Sequence, residues 1–225
     1  MSDGPMRQVM VWDGWIRLVH WSVVVLMAIS YLSMKFGQEQ VHYLSGYTVL
    51  TLVLFRIAWG FVGSDTARFG RFLRSPIEAL RHLKHFREPG PDREIGHNAA
   101  GGWMVLGLLG LLLAQPLTGL FAAEEPEYSY GAKGPLAGLV SPERSSFLTG
   151  MHEIVFDLIL VAVALHVLAV IAFAVLKRHD LMRPMVTGRK TLPASMPAPR
   201  MGSPALAATL LAAAALVVFG ITRLG

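Results

Sequence analysis

Residues 152–166 read HEIVFDLILVAVALH. Apart from Glu153 and Asp157 the stretch between its two histidines is apolar, and apolar residues continue to Leu176. Such a run is long enough for a helix across a hydrocarbon layer of about 30 Å, which takes about 20 residues. On a helix, 14 positions turn through about 1400°, within about 40° of four full rotations, and rise about 21 Å. One helix therefore presents two imidazoles on one stripe, one toward each side of the layer.

The rest of the chain agrees with a protein that uses lipid as solvent. Of its 225 residues 53% are hydrophobic and 16% charged, against about 45–50% and about 25% in ordinary soluble domains. Mean hydropathy is +0.49. Four further apolar stretches, residues 15–36, 43–62, 101–123 and 204–224, match the length of a spanning helix. The expected fold is all-α: a transmembrane four-helix bundle over residues 1–186, a Pro-rich cytoplasmic linker over 187–203, and a fifth, C-terminal transmembrane anchor helix over 204–225. Cysteine is absent, which excludes disulfides, thiolate zinc sites, cysteine-held iron–sulfur clusters and covalent c-type haem. The net charge of +5 is assigned to membrane-flanking loops rather than to nucleic-acid binding.

Those loops predict an orientation. Residues 64–100 carry Arg68, Arg71, Arg74, Arg81, Lys84, Arg87 and Arg93, and residues 178–201 carry Arg178, Arg183, Arg189, Lys190 and Arg200. Residues 124–150 have only Lys133 and Arg144 against Glu124, Glu125, Glu127 and Glu143. By the positive-inside rule the basic loops and the N-terminus face the cytoplasm and the acidic loop faces outward. The N-terminal MSDGPMRQVMVWDG has neither the apolar run nor the cleavage site of a signal peptide, and is expected to be retained. Residues 67–87 mix Phe and Leu with Arg and Lys, and read either as amphipathic surface helices broken near Pro76 or as a solvated basic loop.

Four histidines sit in or beside spans, where ionisable groups are costly and usually functional. His20 lies near the inner start of the first span and His42 at the outer start of the second. They match the heights of His166 and His152, giving an inner pair His20–His166 and an outer pair His42–His152. Two imidazoles from different helices at each of two levels suit two non-covalent haems b with bis-histidine ligation. Zinc asks for three or four ligands. Equal depth of the inner pair requires the first helix to begin before residue 15 or the fourth to continue through Arg178. His82, His85 and His179 read as ordinary surface histidines.

These residues resemble the bacterial cytochrome b561 family, close to the hydrogenase-type b cytochromes. The likeness is carried by RLVHW, HYLSGYTVLTLVLFRIAWG, GHNAAGGWMVLGLLGLLLAQPLTGL and HEIVFDLILVAVALH with the trailing LKRHDLMRPM, and spans about residues 11–186. It implies a four-helix bundle in the bacterial inner membrane, with two haems b and with His20, His42, His152 and His166 as axial ligands. It also implies electron exchange with the quinone pool (ubiquinone or menaquinone) and a redox partner. A periplasmic c-type cytochrome docking on the acidic loop, or a hydrogenase or dehydrogenase subunit, fills that role. A stand-alone superoxide or quinone oxidoreductase is the alternative, and a haem-free transporter or scaffold a further one.

Supporting groups carry two readings each. Arg56, 14 residues after His42, and Arg17, one turn before His20, either pair with haem propionates or snorkel to lipid headgroups. His97, in IGHNAAGGW, competes with His20 as a ligand, contacts a propionate or quinone carbonyl, or caps the third span. Asp157 relays protons, bonds a quinol hydroxyl or pairs with a neighbouring helix, and Glu153 flanks the same site. Gly46, Gly101, Gly102, Gly107 and Gly110 suit either a flat porphyrin or close helix packing. Pro116 is expected to kink the third span. Trp12, Trp15, Trp21, Trp59 and Trp103 are expected to anchor the interface.

Overall fold

A computed structural model of the chain describes residues 5–85, 94–123 and 132–224. The fold class is all-α and transmembrane, as expected. Helices α1 (Gly14–Lys35), α2 (Glu39–Val62), α5 (Ala99–Gly119), α6 (Pro142–Leu176) and α8 (Pro204–Ile221) are each long and apolar enough to cross a membrane. The strand β1 (Met6–Met10) precedes α1, and between the long helices stand the short helices α3 (Phe69–Phe72), α4 (Pro76–Lys84) and α7 (Met182–Thr187) and the strand β2 (Arg189–Pro193).

The helix limits follow from local chemistry more than from hydropathy. Asp13 Oδ1 accepts the Ile16 N–H at 2.8 Å, so α1 starts at Gly14, one residue before the apolar run. Its end is a Schellman turn: Gly37 takes φ 66°, and the Gln38 and Gly37 N–H groups return to the carbonyls of Ser33 and Met34 at 2.7 and 3.1 Å. The chain re-enters helix at once, so α2 begins at Glu39 rather than 43. Asn98 Oδ1 accepts the Gly101 N–H at 2.7 Å and starts α5 at Ala99. The largest difference is α6, which begins at Pro142, ten residues before His152. Ser141 followed by Pro142 is a helix start that outranks the polar composition of the first turns. At 35 residues α6 is about 52 Å long, well beyond one hydrocarbon thickness. It ends at Leu176 and does not continue through Arg178, so neither adjustment that the inner pair called for takes place beyond the single residue at α1.

The chain forms two compact units. The first comprises Met1–Leu18, Ala58–Gly107 and Ala162–Ala207. Here β1 and β2 pair antiparallel, with Met6 opposite Pro193 and Met10 opposite Arg189. The Pro-rich segment is not a loose linker: Arg189–Pro193 is a strand, and residues near its end are pinned. Arg200 N–H donates to Asp65 Oδ2 at 3.0 Å and Gly202 N–H to Ser64 Oγ at 2.8 Å. Gly202 lies flat on Trp59, where a β-carbon would come within 2.7 Å of the indole. Trp59 is fully buried and donates Nε1–H to Asp13 Oδ2 at 3.1 Å; Trp12 is 7% exposed. Both therefore work as core residues rather than interface anchors, whereas Trp21 and Trp103 are exposed. Residues 67–87 fold as the two short helices α3 and α4, broken before Pro76 and capped by Ser75; Phe86 and Arg87 lie outside the described residues.

The second unit comprises Val19–Ile57, Leu108–Val161 and Ala208–Gly225. Its core is Leu50, Leu120, Leu136 and Val218, with Tyr47, Leu54, Leu113, Phe121 and Ile221 packed around them. The polar first turns of α6 close the C-terminal end of α5. Ser145 Oγ donates to the Phe121 carbonyl at 2.7 Å, and Thr149 Oγ1 accepts the Ala123 N–H at 3.1 Å. Gly134 lies so close to the Gly119 and Leu120 carbonyls that no β-carbon fits. Glu124, Glu125 and Glu127 of the acidic loop lie outside the described residues.

Candidate functional site

Within the second unit the structure brings His42 of α2 and His152 of α6 together, with ring centroids 6.1 Å apart and planes inclined at 75°. Each ring is fixed from a neighbouring helix. His42 Nδ1 lies 2.9 Å from the Ser30 carbonyl of α1, with Ser30 Oγ at 3.1 Å. His152 Nδ1 lies 2.8 Å from the Gln115 carbonyl of α5, with Thr118 Oγ1 at 3.3 Å.

A neutral imidazole has one donor and one acceptor nitrogen. A backbone carbonyl only accepts, so both Nδ1 atoms carry the proton and both Nε2 atoms present a lone pair. This is the tautomer that a metal ligand needs, and a carbonyl on the far nitrogen is the usual device that sets it. The Gln115 side-chain amide donates to His152 Nε2 at 3.0 Å and so sits on that lone pair, while its own Oε1 is buried without a hydrogen bond. The ring separation is about that of two imidazoles on opposite sides of one metal atom, given metal–nitrogen bonds of about 2.0 Å. Among the described residues no three His, Asp or Glu side chains converge on a common point. The donor set thus fits a cofactor that brings its own equatorial ligands better than a bare ion.

The approach of His152 depends on Gly119. A β-carbon there would lie 2.9 Å from Cε1 and 3.1 Å from Nδ1 of the ring. Pro116 lies inside α5, as expected. Gln115 and Thr118 on either side of it supply the hydrogen bonds to His152 described above. These residues, with Ser30, were not singled out from the sequence. LAQPLTG carried a signal only through its proline, and Ser30 acts through a carbonyl that any residue at that position has.

His20 is half-buried in the second unit, edge-on to Trp21 at 4.8 Å. His166 is half-buried in the first unit, and its pairing with His20 rests on the sequence. Arg56 is 6% exposed, which removes the snorkelling alternative for it. Arg17 donates Nη1–H to the Val186 carbonyl at 2.6 Å, and so closes the end of α7 rather than reaching headgroups. His97 stands between Trp12 and Phe72, 4.7 Å from each ring, in a cleft of about 840 Å³ of the first unit that His82 and His85 also line. Glu153 and Asp157 are exposed on α6 and take no part in fixing the two rings.

An apolar multi-helix chain with one carbonyl-fixed histidine pair is of the kind seen in membrane cytochromes. The family model of prokaryotic cytochrome b561 matches residues 11–188, and the chain belongs to that family. No curated protein and no solved structure matches it. The protein is therefore a multi-pass membrane cytochrome of the b type, an electron-transfer protein that carries haem b.

Proposed function

We propose that the protein passes electrons between the quinone pool and a redox partner through two haems b, one held by His42 and His152 and the other by His20 and His166. The observation that carries this is the outer pair: two imidazoles from different helices, each with Nδ1–H on a backbone carbonyl, with ring centroids 6.1 Å apart. Bound haem supplies a reversible one-electron couple, and the protein sets its place, ligands and electrostatics. Ser30 and Gln115 hold the rings in the ligating tautomer. Arg56, buried on α2 14 residues beyond His42, is the cation for the propionates of the second haem. His97 serves as a propionate or quinone contact. The basic loops support a cytoplasmic N-terminus, and the partner is a periplasmic cytochrome or a dehydrogenase-type subunit.

The test is optical. Membranes carrying the protein should show two low-spin haem b components, and a pyridine haemochrome should count two haems per chain. His152→Ala should remove one component and His166→Ala the other. A single haem per chain, or the same component lost in both variants, sinks the two-site arrangement. Rapid superoxide oxidation by the purified protein alone would favour the stand-alone oxidoreductase.

A further inference from the structure

The corner of the first unit where α6 ends holds charge that electron transfer does not use. After Leu176 the chain reverses: Arg178 adopts φ 56°, and the His179 N–H reaches the Phe173 carbonyl at 3.0 Å. A left-handed arginine is uncommon and persists only where its surroundings impose it. The chain then runs through α7 and turns into β2 at Gly188, φ 80°, where a β-carbon would strike Met10 Sδ and the Trp12 carbonyl at 2.8 Å. The β1–β2 register sets Gln8 opposite Thr191 and Met10 opposite Arg189 on one face of the ribbon.

These turns enclose a cleft of about 450 Å³ whose lining includes Gln8, Arg178, Asp180, Arg183, Arg189 and Lys190. Four of these are cations and one is an anion. The Asp180 carboxylate accepts the Arg183 backbone N–H at 2.9 Å, and Lys190 Nζ donates to the Glu94 carbonyl at 2.8 Å. The guanidinium groups of Arg178, Arg183 and Arg189 form no ion pair among the described residues. Adjacent in sequence to these cations, the last turn of α6 exposes Val175 (69%) and Leu176 (66%), and α7 exposes Met182 (53%) and Val186 (55%).

We propose that this cleft binds the headgroup phosphate of an anionic phospholipid, its acyl chains lying along Val175, Leu176, Met182 and Val186. Guanidinium forks match phosphate oxygens, and a basic cluster at the end of a spanning helix is where anionic lipid collects. The ammonium of a zwitterionic lipid would meet the same cations, so the site selects against it. Free phosphate would use the cations and leave the apolar flank idle.

The experiment uses the full-length holoprotein in detergent, titrated with phosphatidylglycerol, phosphatidylcholine or inorganic phosphate, with bound molecules counted by native mass spectrometry. Phosphatidylglycerol should be retained and the other two lost. The triple variant R178Q/R183Q/R189Q should weaken retention about 100-fold, from about a fivefold effect per cation. Equal retention of the two lipids, phosphate binding as tightly as phosphatidylglycerol, or a triple variant that binds like the parent overturns the proposal. So does a soluble acidic protein that competes the lipid away with no preference among lipids. R178K/R183K/R189K keeps the charge and should lose less than tenfold, which decides the matter if the glutamine variant fails to fold.

Discussion

Two polar clusters, one in each unit, use the same materials to different ends. In the first unit Asp13 has its two carboxylate oxygens on the Ile16 N–H and the Trp59 indole N–H, and is 8% exposed. Every group in that cluster is answered by another, and it starts a helix and fixes a core tryptophan. In the second unit His42 and His152 have one nitrogen each answered by a carbonyl and the other left as a lone pair, one of them shared with the Gln115 amide. A closed hydrogen-bond network is a structural part. A network that ends in two lone pairs, on rings whose centroids lie 6.1 Å apart, is prepared for something else to complete it.

The sharpest way to break that contrast is Gly119→Val. Its β-carbon would overlap the His152 ring, which must leave the Gln115 carbonyl to make room. The expected result equals that of His152→Ala: haem content falls from two per chain to one, with the His166-dependent component intact. A variant that retains both haems with unchanged bands would show that the ring does not dock against this glycine when ligated.

Asp13→Ala tests the other side. It removes a helix cap and leaves a buried indole N–H unanswered, a loss of about 1–3 kcal/mol. The thermal midpoint in detergent should fall by about 2–10 °C, while two haems per chain remain. Loss of haem in step with stability would mean that the two clusters are not separate in function.

The contrast also explains what the sequence could and could not disclose. Spans and histidine spacing were legible because hydropathy and helical period are properties of the chain itself. The start of α6 was not, because Ser141–Pro142 and the mixed stretch PERSSFLTGM read as loop until its serine and threonine are seen closing the end of α5. Trp59 read as an interface anchor because nothing in its neighbourhood announces Asp13, 46 positions earlier. The histidines were found from the sequence, but their orienting partners were not. Two of those partners are backbone carbonyls, and a carbonyl has no signature in one-letter code.

The smallest effects distinguish a carbonyl partner from a side-chain partner. Ser30→Ala deletes a hydroxyl at 3.1 Å from His42 Nδ1 but leaves the carbonyl at 2.9 Å, so the ring keeps its tautomer. Haem affinity measured by titrating the apoprotein should change less than about threefold. Gln115→Leu also leaves its carbonyl on His152 Nδ1, but it removes the amide that occupies Nε2. Haem iron must displace that amide, at a net cost of about 1 kcal/mol. The leucine variant should therefore take up haem at this site about fivefold more tightly than the parent. It also removes a buried Oε1 that has no hydrogen bond, so its stability should not fall. If the leucine variant binds haem more weakly, the amide supports the bound state instead of competing with iron, and the site is closed in a way the carbonyl contacts do not reveal.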